Sequence, residues 1–170
     1  VCPKVSALPP EDVAITTGAV SPEAIMQRDV WFIHPWSLGH APASLPSDAV
    51  RVAGFETHIM QRWPWRHARW RFVGARMKDM ADQVWMANAQ EWAKALSAAK
   101  QVHVYAHPHM NLWPGVNWVV HEWPRLWPTL EEPMPSFSKW WNAVNRSGRN
   151  LGLMLAQINP PPIQANFKRP

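Results

Sequence analysis

Five side chains that could bind a ligand follow predicted strands at the points where those strands end. They are His34, Trp36, Glu56, His107 and His109. Because the carboxyl ends of parallel strands meet at one edge of a sheet, where open α/β sheets bind ligands, we expect these side chains to lie together. His107 and His109 are separated by one residue, so both face the same way in an extended backbone. We therefore predict a ligand-binding site at this edge, near which we also expect His58, Asn111 and His121.

Imidazoles and a carboxylate are also ligands of zinc, so the same residues are compatible with a His-ligated metal enzyme. One histidine acting as a general base is a further interpretation. The chain has no helix-borne HExxH motif, however, and we predict no metal site. The sequence identifies neither a cofactor nor a catalytic residue.

The stretch QRWPWRHARWRF, residues 61–72, places arginines among tryptophans. Helical periodicity assigns Trp70 to the core and leaves an edge where arginine and aromatic side chains lie together, Phe72 among them. The candidate nucleic-acid-binding residues of this stretch and its continuation are Arg62, Trp65, Arg66, Arg69 and Arg76. Such an edge can stack bases and contact phosphates. Alternatively, the aromatic rings pack against a neighbouring element and the arginine side chains cover them.

Several signatures of catalysis or phosphate binding are absent from the sequence. It contains no GxGxxG, GxxxxGK[ST] or GxSxG motif. The loop HPWSLGHAP after the first predicted strand has one glycine and two prolines, so it offers few backbone N–H groups to a phosphate. Cys2, the only cysteine, lies in the N-terminal segment, which is a poor place for a nucleophile. A self-contained enzyme is therefore not favoured.

The composition is that of a globular protein, with 47% hydrophobic and 17% charged residues among 170. The 13 tryptophans are mainly a packing resource, because indole rings bury large areas. The net charge is +5, and residues 139–170 contain five basic residues and no acidic one. One cysteine suits a reducing compartment, and we see neither a signal peptide nor a membrane span, so we predict a cytoplasmic location.

Periodicity and turn residues predict strands alternating with helices. Strands are predicted over 30–35, 49–56, 83–87, 101–108 and 115–123, and helices over 21–28, about 64–84, 88–100 and 136–146. Asn88 and Glu91 have the spacing of a capping box. This order predicts a Rossmann-like three-layer α/β domain over 30–146, with about five mainly parallel strands. An irregular proline-rich arm, 1–29, precedes it, and a basic proline-rich tail, 147–170, follows.

The order of these segments resembles the N-terminal α/β domain of the photolyase and cryptochrome family. DVWFIHPWSL resembles that domain's first strand and loop, AVRVAGFE its second strand, and RHARWRFVGARMKDMAD the arginine-rich helix that follows. EWAKALSAAKQVHVYAHPHMN is similar to the next helix and strand, and VNWVVHEW to the last strand. MPSFSKWWNAVNR resembles the segment by which the family leaves this domain. The resemblance covers about residues 30–146.

The chain departs from the family in two respects. HPWSLGHAP replaces the Arg-Asp-Leu-Arg type of run in the first loop, and only a short tail follows the exit segment, so we expect no flavin site in this chain. The resemblance implies a non-catalytic accessory or ligand-binding module that partners a separate flavin-binding subunit in DNA repair or light sensing. A basic, tryptophan-rich nucleic-acid-binding protein, a structural subunit of a larger assembly and a His-ligated metal enzyme remain alternatives.

Overall fold

The computed structural model describes residues 5–123 and, beyond them, only Ser136, Ser138, Lys139 and Asn142. The chain divides into two compact units, Val1–Trp123 and Pro124–Pro170, and every element below belongs to the first. The helix predicted over 136–146 and the tail predicted over 147–170 therefore lie outside the described residues, apart from those four positions.

The described part of the chain alternates strands with helices, as predicted. In chain order the elements are β1 (Val5–Ser6), β2 (Thr16–Thr17), α1 (Pro22–Ile25), β3 (Asp29–Ile33), β4 (Val50–Glu56), α2 (Thr57–Arg62), β5 (Trp65–Arg66), α3 (His67–Met80), β6 (Val84–Ala87), α4 (Ala89–Leu96), β7 (Gln101–Tyr105) and β8 (Trp118–His121). Each of the five predicted strands forms, as β3, β4, β6, β7 and β8. Two short strands, β1 and β2, come from the segment predicted as an irregular arm.

Six strands form one sheet in the order β2-β6-β4-β3-β7-β8, and every neighbouring pair is parallel. This sheet, with helices on both faces, confirms the Rossmann-like three-layer α/β prediction. From β3 the chain builds outward through β4 and β6, and then continues on the other side of β3 with β7 and β8. The topological switch point therefore lies between β3 and β7, where open parallel sheets leave a crevice at the strand ends.

Two hydrophobic clusters form the core, one on each face of the sheet. Helix α3 contributes its buried stripe to the first cluster, and that stripe follows the predicted helical period through Trp70, Val73, Met77 and Met80. Helix α4 contributes Trp92 and Leu96 to the second cluster. Alternate residues of β3 enter opposite clusters, as expected for a strand that is buried on both faces.

The start of α3 differs from the prediction. The pattern predicts a helix that begins near Pro64, but α3 begins at His67 and a separate helix, α2, precedes it. Between them, β5 pairs antiparallel with β1, and the indole Nε1 of Trp70 donates to the carbonyl oxygen of Ser6 at 3.0 Å. The N-terminal segment thus draws this stretch of backbone into a strand pair, and helical periodicity contains no information about so distant a partner.

Helix α4 begins as predicted, with a complete capping box. The side-chain oxygen of Asn88 accepts the backbone N–H of Glu91, and the Glu91 carboxylate accepts the backbone N–H of Asn88, each at 2.9 Å. These bonds satisfy N–H groups that the first helical turn leaves without intrahelical partners. The helix ends at Leu96, four residues short of its predicted end at Lys100.

Trp92 of α4 packs against β4 at Gly54. Its indole is fully buried, and Nε1 donates to the carbonyl oxygen of Phe55 at 2.9 Å. A Cβ atom on Gly54 would overlap the six-membered ring of Trp92. The missing side chain at position 54 therefore lets α4 approach the sheet.

Replacing Gly54 with alanine should lower the free energy of unfolding by about 1–3 kcal/mol, the usual cost of overpacking a filled core. Urea denaturation measures this cost. In a Trp92→Phe background the smaller ring leaves room for the methyl group, so the same change should cost less. Equal costs in the two backgrounds would contradict the contact.

Candidate functional site

Four of the five predicted ligand-binding side chains meet at the switch point. They form what we call the ring cluster, His34, Trp36, His107 and His109. The indole of Trp36 stacks on His107 with ring centroids 5.7 Å apart and planes inclined by 18°. The centroid of His109 lies 5.3 Å from that of Trp36, and the centroid of His34 lies 5.8 Å from that of His107. Trp36, His107 and His109 are half-buried, so the cluster reaches the surface.

His34 links β3 and β7 beyond the last pair of their ladder, which is Trp31 with His103. Nε2 of His34 lies 3.1 Å from the carbonyl oxygen of Tyr105. Because a carbonyl oxygen only accepts, Nε2 carries the ring proton and donates it. Nδ1 accepts the backbone N–H of Trp36 at 3.3 Å. Both ring nitrogens of His34 are therefore engaged in holding the loop that follows β3.

Burial keeps His34 uncharged. The residue is 1% exposed, and this burial lowers its pKa from 6.5 to about 4. The hydrogen bond to the Tyr105 carbonyl acts in the opposite direction, and nearby His107 lowers the pKa a little further. At neutral pH, His34 is consequently a neutral link between two strands and carries no positive charge.

His107 is oriented by the backbone of its neighbour. The N–H of His109 donates to Nδ1 of His107 at 3.1 Å. Since Nδ1 accepts, the proton of the neutral ring lies on Nε2, which is available as a donor. Burial, and to a lesser degree His109, lowers the pKa of His107. The ring therefore presents an uncharged N–H group at the partly exposed side of the cluster.

Glu56, the fifth predicted residue, ends β4 and lies beside the same crevice. Its Oε2 accepts from the Asn111 side-chain amide at 3.0 Å, which ties β4 to the segment after β7. Glu56, Asn111, His34, Trp36 and His109 all border one cavity of about 10 Å³, roughly enough for a single water molecule. Side chains thus fill most of the crevice, and a larger ligand would lie over the ring cluster.

Trp63, which was not among the predicted ligand-binding residues, extends the ring cluster toward α2. Its ring centroid lies 5.4 Å from that of His109, and the residue is 48% exposed. The guanidinium carbon of Arg62 lies 5.9 Å from the Trp63 ring centroid. Because Trp63 lies outside the buried stripe of α3, the sequence could have indicated an exposed ring here. The pattern instead predicted one continuous helix, with Trp63 at its start.

The candidate nucleic-acid-binding residues lie in two kinds of environment. Trp65 is 4% exposed and packs against Phe55 and Trp70, while the guanidinium carbon of Arg69 lies 4.2 Å from its ring centroid. A base could reach this ring only by displacing one of these neighbours. The other four candidates are exposed, namely Arg62, Arg66, Arg69 and Arg76.

A second histidine pair spans β7 and β8. Nδ1 of His103 lies 2.9 Å from Nε2 of His121, and burial lowers the pKa of both rings. The other nitrogen of His103 lies 4.0 Å from Oδ1 of Asp29, and these two buried atoms have no hydrogen-bond partner. His121, which we expected near the ring cluster, therefore pairs with His103, and His58 is an exposed residue of α2.

Across the described ranges, no group of three or more His, Cys, Asp or Glu side chains is arranged to hold a metal ion. Nor does any helix of those ranges have the length and apolar character needed to cross a membrane. Comparison of the chain with family models, curated proteins and solved structures found no match. Function must therefore be inferred from the site itself.

The imidazole resonance of His34, assigned by its loss in His34→Gln, should titrate near pH 4 in an NMR experiment. Because the unfolded chain binds this proton at higher pH than the folded chain, His34 stabilises the fold fully above about pH 6.5. That contribution, on the order of 3 kcal/mol, should be lost between about pH 6.5 and 4. The pH dependence of the unfolding free energy should be weaker in His34→Gln. A His34 resonance titrating near 6.5 would contradict the burial argument.

Proposed function

We propose that this chain is a photolyase/cryptochrome-like α/β module that binds a ligand over the ring cluster and has no catalytic activity of its own. The observation that carries the ligand-binding part is the stack of Trp36 on His107 at the switch point, with His109 and Trp63 beside it. Partly exposed aromatic rings at such a position favour a ligand with a flat apolar face, because it can stack on them.

The polar groups beside these rings favour hydrogen-bond acceptors on the ligand. His107 offers its Nε2 proton, and the Asn111 amide retains one proton after donating to Glu56. Neither group carries a charge at neutral pH. A planar heterocycle with carbonyl or ring-nitrogen acceptors therefore fits the site better than an aliphatic ligand.

The hydrogen bonds of His34 and His107 favour binding over proton transfer at these two imidazoles. His34 is buried and uses both ring nitrogens within the protein, so it has no free lone pair for a substrate proton. His107 uses its lone pair to accept from the backbone of His109. A general base needs an available lone pair within reach of the proton that it removes, and these two rings do not offer one.

The photolyase-like part of the proposal is supported by the order of the segments between residues 30 and 146. The resemblance to the photolyase and cryptochrome family implies that the module acts with a separately encoded flavin-binding subunit in DNA repair or light sensing. Purification of the tagged chain from its source cells tests this part. A copurifying flavoprotein is expected, and a chain recovered without any flavoprotein would argue against the partner.

Calorimetric titration should detect binding of a planar heterocycle such as flavin mononucleotide or adenosine monophosphate. Ribose 5-phosphate, which has no aromatic ring, should bind more weakly. The His109→Ala variant should weaken binding about tenfold, because it removes one ring of the stack at a cost of about 1–1.5 kcal/mol. His67→Ala removes an exposed imidazole from the start of α3 and is the matched control.

The ligand-binding proposal fails if none of the planar ligands binds, or if ribose 5-phosphate binds as tightly as they do. It also fails if His109→Ala and His67→Ala have equal effects on affinity. Loss of the flavoprotein partner alone would leave the ligand site intact, so the two parts of the proposal can be judged separately.

A further inference from the structure

We infer that a second surface, on α2, β5 and α3, binds single-stranded nucleic acid. This Arg–aromatic strip consists of Arg62, Trp63, Arg66, Arg69, Phe72 and Arg76. The strip shares Trp63 with the ligand site proposed above, but its arginines and Phe72 are not part of that site. It also differs from the set that the sequence predicted, because the buried Trp65 is replaced by Trp63 and Phe72.

The exposed aromatic residues carry the first step of this inference. Among the large hydrophobic side chains exposed in the described ranges, the aromatic ones are Trp63 at 48% and Phe72 at 70%. Both lie among the arginines of one short stretch, whereas the other Trp, Phe and Tyr rings of those ranges are buried or half-buried. Exposed rings between cationic side chains are the usual platform on which the bases of single strands stack.

Three of the four arginines of the strip have no ion-pair partner in the described ranges, and Arg76 is the exception. Arg71 pairs with Asp12 at 2.6 Å, and Arg76 lies 3.9 Å from Asp79. Within the described ranges Arg62, Arg66 and Arg69 have no carboxylate at ion-pair distance, although all are exposed. Three unneutralised guanidinium groups can therefore contact phosphates without first breaking an internal ion pair.

Helical geometry aligns the part of the strip that lies on α3. Arg69, Phe72 and Arg76 follow one another at spacings of three and four residues, so they lie on one face. The rise between Arg69 and Arg76 is about 10 Å, at 1.5 Å per residue. Over this length, Phe72 can stack on a base while Arg69 and Arg76 contact the backbone phosphates on either side of that base.

The two exposed rings also favour a single strand over other anionic partners. In a duplex the base faces stack on one another and cannot reach Trp63 or Phe72. An acidic protein would use the arginine charges but would gain little from flat exposed rings. The strip therefore fits a flexible polyanion with free base faces.

Fluorescence anisotropy with a labelled oligothymidylate of about 12 nucleotides tests the inference. The wild-type chain should bind at low salt and lose affinity steeply as salt is added. Arg66→Ala with Arg69→Ala should reduce the slope of log K against log salt by about 1.4, the value expected for two lost phosphate contacts. Trp63→Ala should weaken binding about tenfold with little change in slope, since it removes a stacking surface and no charge.

Matched controls are available near the amino ends of β3 and β4 and just after α1. Arg28→Ala with Arg51→Ala removes the same charge from the amino ends of β3 and β4, and Met26→Ala removes an equally exposed hydrophobic side chain. Both controls should bind like the wild type. All the substituted residues are exposed, and circular dichroism verifies that each variant folds.

Three results would overturn the inference. The first is no detectable binding at about 50 mM salt, where electrostatic contacts are strong. The second is an equal loss of affinity in the strip variants and the charge controls. The third is a combined result: polyglutamate displaces the oligonucleotide at equal charge concentration, and Trp63→Ala binds the oligonucleotide as tightly as the wild type. This result would indicate that the strip attracts any polyanion.

Discussion

The ring cluster depends on one hydrogen bond, from Nε2 of His34 to the carbonyl oxygen of Tyr105. The ladder between β3 and β7 ends before this point, so a side chain must supply the link across the crevice. A buried carbonyl without a donor costs on the order of 1–3 kcal/mol. The same imidazole accepts the backbone N–H of Trp36, which directs the loop after β3 and lets Trp36 stack on His107.

Tyr105 also holds the middle of that loop, near His40. Its hydroxyl group donates to the carbonyl oxygen of His40 at 3.1 Å, and Trp123 stacks on its ring with centroids 4.4 Å apart. A connection that contains no helix is therefore fixed by β7 at its start and near its middle. These internal bonds also determine the chemistry of the ring cluster, because they engage both nitrogens of His34 and Nδ1 of His107 and leave the Nε2 proton of His107 available.

Much of the fold follows from local sequence. Apolar runs that end at prolines predict β3 and β7, and the spacing of Trp70, Val73 and Met77 predicts the buried face of α3. The prediction was wrong about where α3 begins, because β1 pairs with β5 across some 60 residues of chain. Pairing between distant segments leaves no periodic pattern in either of them. Local periodicity therefore predicts a helix that begins too early.

The sequence by itself determined that His34, Trp36, Glu56, His107 and His109 lie at one edge, because parallel strands place their carboxyl ends together. Tertiary structure decided what each can do. It engaged both nitrogens of His34, paired His121 with His103, buried Trp65 and exposed Trp63. Residue type and strand position are local properties, whereas the protonated nitrogen of an imidazole and the free face of a ring depend on neighbours from distant segments.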